Sequence, residues 1–562
     1  MASSDSVGHW SAILVLILFF LSSEFNYLYF VISIHIRLNF ITVPLLSVLI
    51  LLASGGIDGS VVRRGIVGAD GVKPINIMAL FISLAYISIS LDFTGLLRFS
   101  AFWVARKGGS SGQLLYLYLY AFFLVCGVIV GNDPVILSGT AFLAYFTRVS
   151  GITPPTAWIF AQFTAANMAS VVLVSSNPTN LVLSGAYGLL FIKYTVHVIL
   201  PFLAGAVFVY PILAFALFRS PRLIPPSLDI ELSEQESGNQ TLVDKKGAIF
   251  GSALLLITLA VLVGTSTVSV PVWEVTVPPA VVMLLRDALH NWRHNQPIVF
   301  QRNRATGEPI PREIPLAELS TASQTDRKPD SDTPTIQVQE QVQEAAEEPV
   351  PASGTQTPSE AGSNDSTVHS TAVSLQGKLF SVIERLESCF PTVSGIAHRL
   401  PIPLLPFAFL MFILVQGLST KGWVEVWAGW WDAWIRRTGT LGAVGGMGFI
   451  ACMLCNICGT NIGATILLAR VLQVWTSTHE IDQRTRDGAL YALAIGSNYG
   501  AFTLTFSASL AGLLWREILH QKGIHVRPRQ FLLLNLPTSF VAMLCSCAVL
   551  VGEVYIIDRK QT

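Results

Sequence analysis

The chain has 562 residues, of which 52% are hydrophobic and 12% charged, and its mean hydropathy is +0.57. A soluble domain carries about twice that charged fraction, and a formal net charge of zero leaves no electrostatic footprint for nucleic acid. The seven cysteines lie mostly inside apolar runs, where they read as small buried hydrophobes and not as a secreted disulfide framework.

Crossing a bilayer takes about 20 mainly apolar residues. Runs of this kind lie at roughly 11–33, 38–54, 75–94, 155–190, 195–218, 247–268, 272–291, 402–419, 487–519 and 530–556. The first has no basic segment ahead of it and contains Glu24, so it reads as a retained membrane helix and not a signal peptide. The runs 155–190 and 487–519 are too long for one plain helix, and polar and glycine residues interrupt both. Two further apolar blocks, 113–150 and 440–475, are each divided by a polar tip about 19 residues in. A polar break at membrane depth is tolerated only where protein surrounds it or it lines a cavity, so each block is expected to be a re-entrant hairpin.

Residues 292–400 differ in kind. From Gln301 to Leu375 the chain is rich in Ser, Thr, Pro, Glu and Gln, and it lacks the apolar content for a packed core. It reads as a disordered hydrophilic spacer. On either side of it the same order of elements recurs: two spans, a charged connection, a third span, an aromatic and basic segment (Leu97–Lys107 and Trp423–Arg437), a split block, a broken span and a closing span. Five crossings per half invert the second half relative to the first. Short loops on the connector's side hold roughly fifteen Lys and Arg against about twelve opposite, which puts the connector in the cytosol and both termini across the membrane.

The expected fold is thus an all-α polytopic membrane protein of two inverted repeats, with about 10 transmembrane helices, two re-entrant hairpins and two broken helices. Residues 1–291 hold the first repeat and the first two spans of the second, 292–400 the cytosolic connector, and 401–562 the remainder.

The chemistry concentrates in four polar breaks: Gly131-Asn132-Asp133-Pro134, Ser175-Ser176-Asn177-Pro178-Thr179-Asn180, Gly459-Thr460-Asn461 and Gly496-Ser497-Asn498-Tyr499-Gly500. Their residues end one helix and cap the next. A half-helix that starts inside the membrane aims N–H groups and a positive dipole end at an anion, and one that ends there offers carbonyls to a cation. Asp133 is the ionisable group among them, a candidate for carrying a coupling proton or binding a cation. Cys452, Cys455 and Cys458 spread over about 120° of a helix face. With no histidines nearby they read as packing residues, so no metal site is expected. No GxxxxGK[ST] motif is present, and neither HExxH nor GxSxG marks an embedded enzyme.

The segments GNDPVILSGTAFLAYFTRVSG, SSNPTNLVLSG, CGTNIGATILLARVLQ and GSNYGAFTLTFSASLAGLLW resemble the signature regions of the ion transporter superfamily. The resemblance is strongest to the branch of the arsenite carrier ArsB, silicate-efflux carriers and citrate-transporter-like fungal membrane proteins, and it covers roughly 38–291 and 400–556. It implies a scaffold and a moving transport domain. By motif, it places the site on Asn132 and Asp133, on Thr460 and Asn461, on Ser176, Asn177, Thr179 and Asn180, and on Gly496, Asn498, Thr505 and Ser509. The Ser-Asn-Thr tips of sodium–dicarboxylate carriers are replaced here by Asn-Asp-Pro and Gly-Thr-Asn, which points away from sodium-coupled dicarboxylate transport.

The function expected is secondary transport of a small anion or oxyacid, such as arsenite, silicate or a carboxylate, driven by protons or membrane potential. The alternatives are a cation/proton antiporter and, from another class, a membrane receptor or enzyme. The expected partners are the transported ion and the lipid bilayer, without nucleic acid or cofactor and with homodimerisation left open. The protein is expected in a plasma or organelle membrane.

Overall fold

With no water inside a bilayer to satisfy backbone N–H and C=O groups, an apolar chain there has to be helical. The computed structural model describes residues 7–24, 39–69, 71–228, 242–265, 270–294, 300–302, 309–311, 387 and 389–559. Most of the hydrophilic spacer, 312–386, lies outside the described residues. The first half contains α1 (Trp10–Glu24), α2 (Thr42–Ala53), α3 (Gly59–Val67), α4 (Pro74–Phe93), α5 (Leu96–Lys107), α6 (Gly112–Val130), α7 (Asn132–Val149), α8 (Thr156–Ala169), α9 (Pro178–Tyr187) and α10 (Phe191–Pro211). The second contains α11 (Lys245–Thr265), α12 (Val272–His294), α13 (Pro391–Arg399), α14 (Leu404–Thr420), α15 (Trp423–Ile457), α16 (Asn461–Thr478), α17 (Gln483–Gly500), α18 (Leu510–Gln521) and α19 (Pro528–Arg559).

Among the described residues seven helical segments are long and apolar enough to cross a membrane, and α1 and α2 are shorter apolar helices. The protein is an all-α polytopic membrane protein. The chain forms two compact units, Ala288–Gly395 and everything else. In the smaller unit the described parts are the end of α12, the start of α13 and two short antiparallel strands, β1 (Phe300–Arg302) and β2 (Pro309–Pro311).

The repeat is visible in the backbone of the larger unit. Left-handed glycines fall at matching joints of the two halves: Gly95 and Gly422 after the third span (φ 84° and 86°), and Gly131 and Gly459 at the hairpin tips (φ 94° and 78°). A third pair, Gly109 and Gly439 (φ 60° and 62°), stands before each hairpin. In the first half Gly109 lies between α5 and α6; in the second, Gly439 kinks α15, so Trp423–Thr438 is the counterpart of α5 and 440–457 the first hairpin arm. A hairpin returns the chain to the side it left whether or not its arms reach across, so the odd crossing count that inverts the repeats is unaffected by arm length.

Burial separates centre from rim. Every residue of α8 from Ala157 to Ala169 is buried, as is every residue of α17 from Asp487 to Gly500. By contrast α10 exposes Leu200, Leu203, Val207 and Phe208, and α19 exposes Leu533, Phe540 and Leu544, apolar faces suited to lipid. The repeats interlock, because the second arm of each hairpin packs on the other repeat's half-helix: α16 on α9, and α7 on α18.

Candidate functional site

The two broken spans repeat one backbone pattern. After α8 the chain turns extended at Leu173 and makes a single 3-10 turn over Val174–Ser176. It is extended again at Asn177 (φ −152°, ψ 138°) before α9 begins at Pro178. After α17 the same sequence of states runs through Thr505, Phe506–Ala508 and Ser509 (φ −150°, ψ 155°) into α18. Both extended residues are N-caps. Asn177 Oδ1 accepts from the Thr179 N–H at 3.1 Å, and Ser509 Oγ accepts from the Gly512 N–H at 3.0 Å.

The second break lies later than its motif suggested. Gly496 and Asn498 are in the last turns of α17, and the helix runs on to Gly500. Those glycines serve helix packing. A side chain at Gly496 would run into the Gly448 carbonyl oxygen, and one at Gly500 into Cys455 Sγ. Thr505 and Ser509 fall inside the break itself, while Thr179 and Asn180 occupy the first turn of α9.

Each hairpin tip is tied to the break of its own repeat. At the first, Ser176 Oγ donates to the Val128 carbonyl at 2.7 Å. Gly131 passes so close to Ser176 that a Cβ there would sit 3.1 Å from its carbonyl oxygen. Asn132 Nδ2 reaches Asn167 Oδ1 at 3.5 Å. Asp133 is the second residue of α7, and among the described residues its carboxylate takes no hydrogen bond or ion pair. At the second tip, Asn456 clamps the break: its Oδ1 accepts from the Thr505 N–H at 3.2 Å and hydroxyl at 3.0 Å, and its Nδ2 donates to Thr503 Oγ1 at 2.7 Å. Thr460 caps α16 by accepting from the Gly463 N–H at 3.4 Å, and Asn461 is buried as the first residue of that helix.

One polar seam joins the two breaks. Asn498 Nδ2 donates to Asn180 Oδ1 at 2.7 Å, and Ser170 Oγ donates to Asn498 Oδ1 at 2.9 Å. Asn177 Nδ2 donates to the same Ser170 hydroxyl at 3.3 Å. Asn180 Nδ2 holds two carbonyls of its own break, Ser170 O at 2.7 Å and Leu173 O at 2.9 Å. Asn177 and Asn498 therefore meet through one hydroxyl, but they are not repeat mates. By position in the pattern, Asn167 matches Asn498 and Asn177 matches Ser509. The motif reading passed over Ser170, Asn167 and Asn456, each a polar side chain within two turns of a break or tip but with nothing in the sequence to set it apart from a packing residue.

Four half-helices, α7, α9, α16 and α18, begin at these tips and breaks. The two in each packed pair run parallel, for their far ends also meet. Gln473 Nε2 donates to the Ala186 carbonyl at 2.7 Å, and Arg148 Nη2 donates to the Lys522 carbonyl at 3.4 Å. Each helix N-terminus carries roughly half a positive charge, so four together present about two. The arrangement can hold a small anion without a fixed cation.

Paired tips and breaks of this kind, set in interlocked repeats of lipid-facing helices, define an integral multi-pass membrane protein of the ion transporter superfamily, in its ArsB and citrate transporter branch. The chain belongs to the citrate transporter family, whose model matches residues 9–297, and the family model for the arsenical pump membrane protein matches residues 370–551. An arsenical pump membrane protein of Escherichia coli is 30% identical over 159 residues, 28% of this chain and 36% of that protein. A second from the same species is 26% identical over 210 residues, 37% of this chain and 48% of that one. The chain thus aligns with less than half the length of these relatives. Among solved structures, the Alcanivorax borkumensis YdaH transporter superposes with a TM-score of 0.50 at 12% identity, over 97% of this chain and 98% of that one, a likeness of fold.

Proposed function

We propose that the protein is a secondary transporter of a small anion or oxyacid, of the arsenite, silicate or carboxylate kind, coupled to protons or to membrane potential. The observation that carries this reading is the set of four half-helix N-termini gathered around buried neutral amides and hydroxyls. Such a set favours negative charge and offers no fixed cation to trap it. The similarity to arsenical pump membrane proteins and the citrate transporter family supports the same class.

In this reading Asn132, Thr460 and Asn461 line the tips. Ser176, Asn177, Thr179 and Asn180 with Thr505 and Ser509 shape the breaks, Asn498 closes the seam, and Gly496 lets α17 pack closely enough to place it. Asp133 carries the coupling proton. Its carboxylate stands in the first turn of α7 without a partner, so protonation costs no ion pair there. The test is flux in proteoliposomes against a panel of anions, with and without a pH gradient. Saturable uptake of a small anion or oxyacid that responds to the gradient supports the proposal. Proton-coupled cation flux without anion flux would favour the antiporter reading instead.

A further inference from the structure

The end of α4 is held from two sides. On one side it shares a small hydrophobic core, in which Ile87 and Leu91 pack with Leu255 of α11, Met283 of α12 and Ile396 of α13, apart from the larger core that holds both hairpins. Polar ties follow the same partners. Asp287 of α12 accepts from Ser90 Oγ at 2.6 Å and from the Tyr86 hydroxyl at 3.2 Å, and the Val243 N–H, just ahead of α11, donates to the Thr94 carbonyl at 2.9 Å. Asp92, one residue before the end of α4, meets this framework and the first hairpin at once. Its side chain is 2% exposed. Oδ2 lies 3.3 Å from Arg399 Nη1 at the end of α13, whose guanidinium also covers the Phe93 ring at 4.3 Å. Oδ1 accepts from the Ser138 hydroxyl of α7.

The second repeat makes the same kind of contact. Asp92 and Ser419 each stand three residues before the left-handed glycine that follows a third span, Gly95 and Gly422. Ser419 Oγ lies 3.4 Å from the Arg470 guanidinium of α16, the returning arm of the second hairpin. Arg470 is the tenth residue of its arm and Ser138 the seventh of its own, so the two contacts fall within one turn of each other.

We infer that Asp92 is a positioning residue: with Arg399 as its permanent partner and Ser138 as its exchangeable one, it latches the first hairpin to the framework of α4, α11, α12 and α13. Charge explains the division. A buried carboxylate stripped of its guanidinium is left uncompensated, so the pair with Arg399 has to survive any movement. The hydroxyl can leave for the loss of one hydrogen bond to a charged group, roughly a tenfold factor or more in the equilibrium between held and released hairpin. Ser138 lies five residues beyond Asp133 on α7, about 7.5 Å along the axis, so the latch sets where the tip carboxylate stands. That release accompanies transport rests on the function proposed above; the latch itself does not.

The test is hydrogen exchange of the full-length chain in lipid nanodiscs, read by peptide mass over α7. Ser138→Ala should speed exchange of the α7 amides about tenfold. A purely local effect has the opposite sign, because alanine is the better helix former and slows exchange. Ser138→Thr keeps a hydroxyl and should restore the parent rate. Asp92→Leu with Arg399→Met breaks the same contact from the framework side without stranding a charge, and should match Ser138→Ala. Unchanged exchange over α7 in Ser138→Ala, or in the Asp92→Leu, Arg399→Met pair, would overturn the inference. Exchange reads the latch without flux, so faster exchange in a chain that moves no anion would leave the latch standing and remove the transport reading. Where anion flux is present, Ser138→Ala should change turnover and keep the half-saturating anion concentration within about twofold. A change confined to that concentration would place Ser138 in the binding site and contradict the latch.

Discussion

Replacing Asn180 should damage the site more than replacing Asn498, although the two amides bond to each other. Asn180→Ala strips the Ser170 carbonyl of its amide donor at 2.7 Å inside a buried break, while the Leu173 carbonyl, 2.9 Å from the same amide, keeps the Ser176 N–H at 3.1 Å. With one buried carbonyl left unpaired, the loss is about 1–3 kcal/mol. Asn498→Ala removes one acceptor from Ser170 Oγ, but that hydroxyl keeps the Asn167 carbonyl at 2.8 Å. It leaves only Asn180 Oδ1 short, with a remaining contact to Thr179 Oγ1 at 3.4 Å, so its cost is that of one lost hydrogen bond, about 0.5–1.5 kcal/mol. The pair should couple by roughly 0.5–3 kcal/mol in a double-mutant cycle. The assay is reversible unfolding of purified protein, followed by flux per folded molecule. Equal stability of both variants and the parent, or Asn498→Ala falling below Asn180→Ala, would refute the assignment of the seam.

Asp133→Asn keeps the shape of the first tip and removes its titratable group. Flux should continue while its dependence on a pH gradient disappears, measured in proteoliposomes at matched protein density. Gly496→Ala should prevent correct folding, because its new methyl meets the Gly448 backbone, whereas Gly445→Ala, with open space around it, should fold normally; yield of monodisperse protein distinguishes them. Deletion of Gln301 to Leu375 should leave flux intact, since that composition cannot build a core, and a correctly inserted deletion without flux would contradict the spacer reading.

The long apolar runs and the doubling of their order were legible because bilayer thickness imposes one length on every span and a polar interruption there stands out. GNDP, SSNP and CGTN fell at real joints for that reason, and Gly131 and Gly459 do carry left-handed backbone. Gly496–Gly500 misled because glycine and asparagine serve two purposes in a membrane helix. Here the glycines let α17 press against α15, and the helix ends only after them. Ser170, Asn167 and Asn456 were not legible, since a lone Ser or Asn in an apolar run looks the same whether it caps a turn or clamps a distant break. Only the fold brings Asn456 to Thr505, or Ser170 to Asn498 across 328 positions of chain. Motif alone also cannot align the two breaks: backbone state matches Asn177 with Ser509 and Asn167 with Asn498.

The central claim is that the interlocked breaks form one anion-transport site, and the most direct measurement is uptake of a panel of small anions and oxyacids into proteoliposomes by the parent, Asn180→Ala and Asn498→Ala proteins. The account predicts saturable uptake of at least one of them by the parent. It also predicts sharply reduced uptake by both variants wherever unfolding shows them folded. Undiminished anion uptake by both folded variants, or proton-coupled movement of a cation with no anion flux, would contradict it.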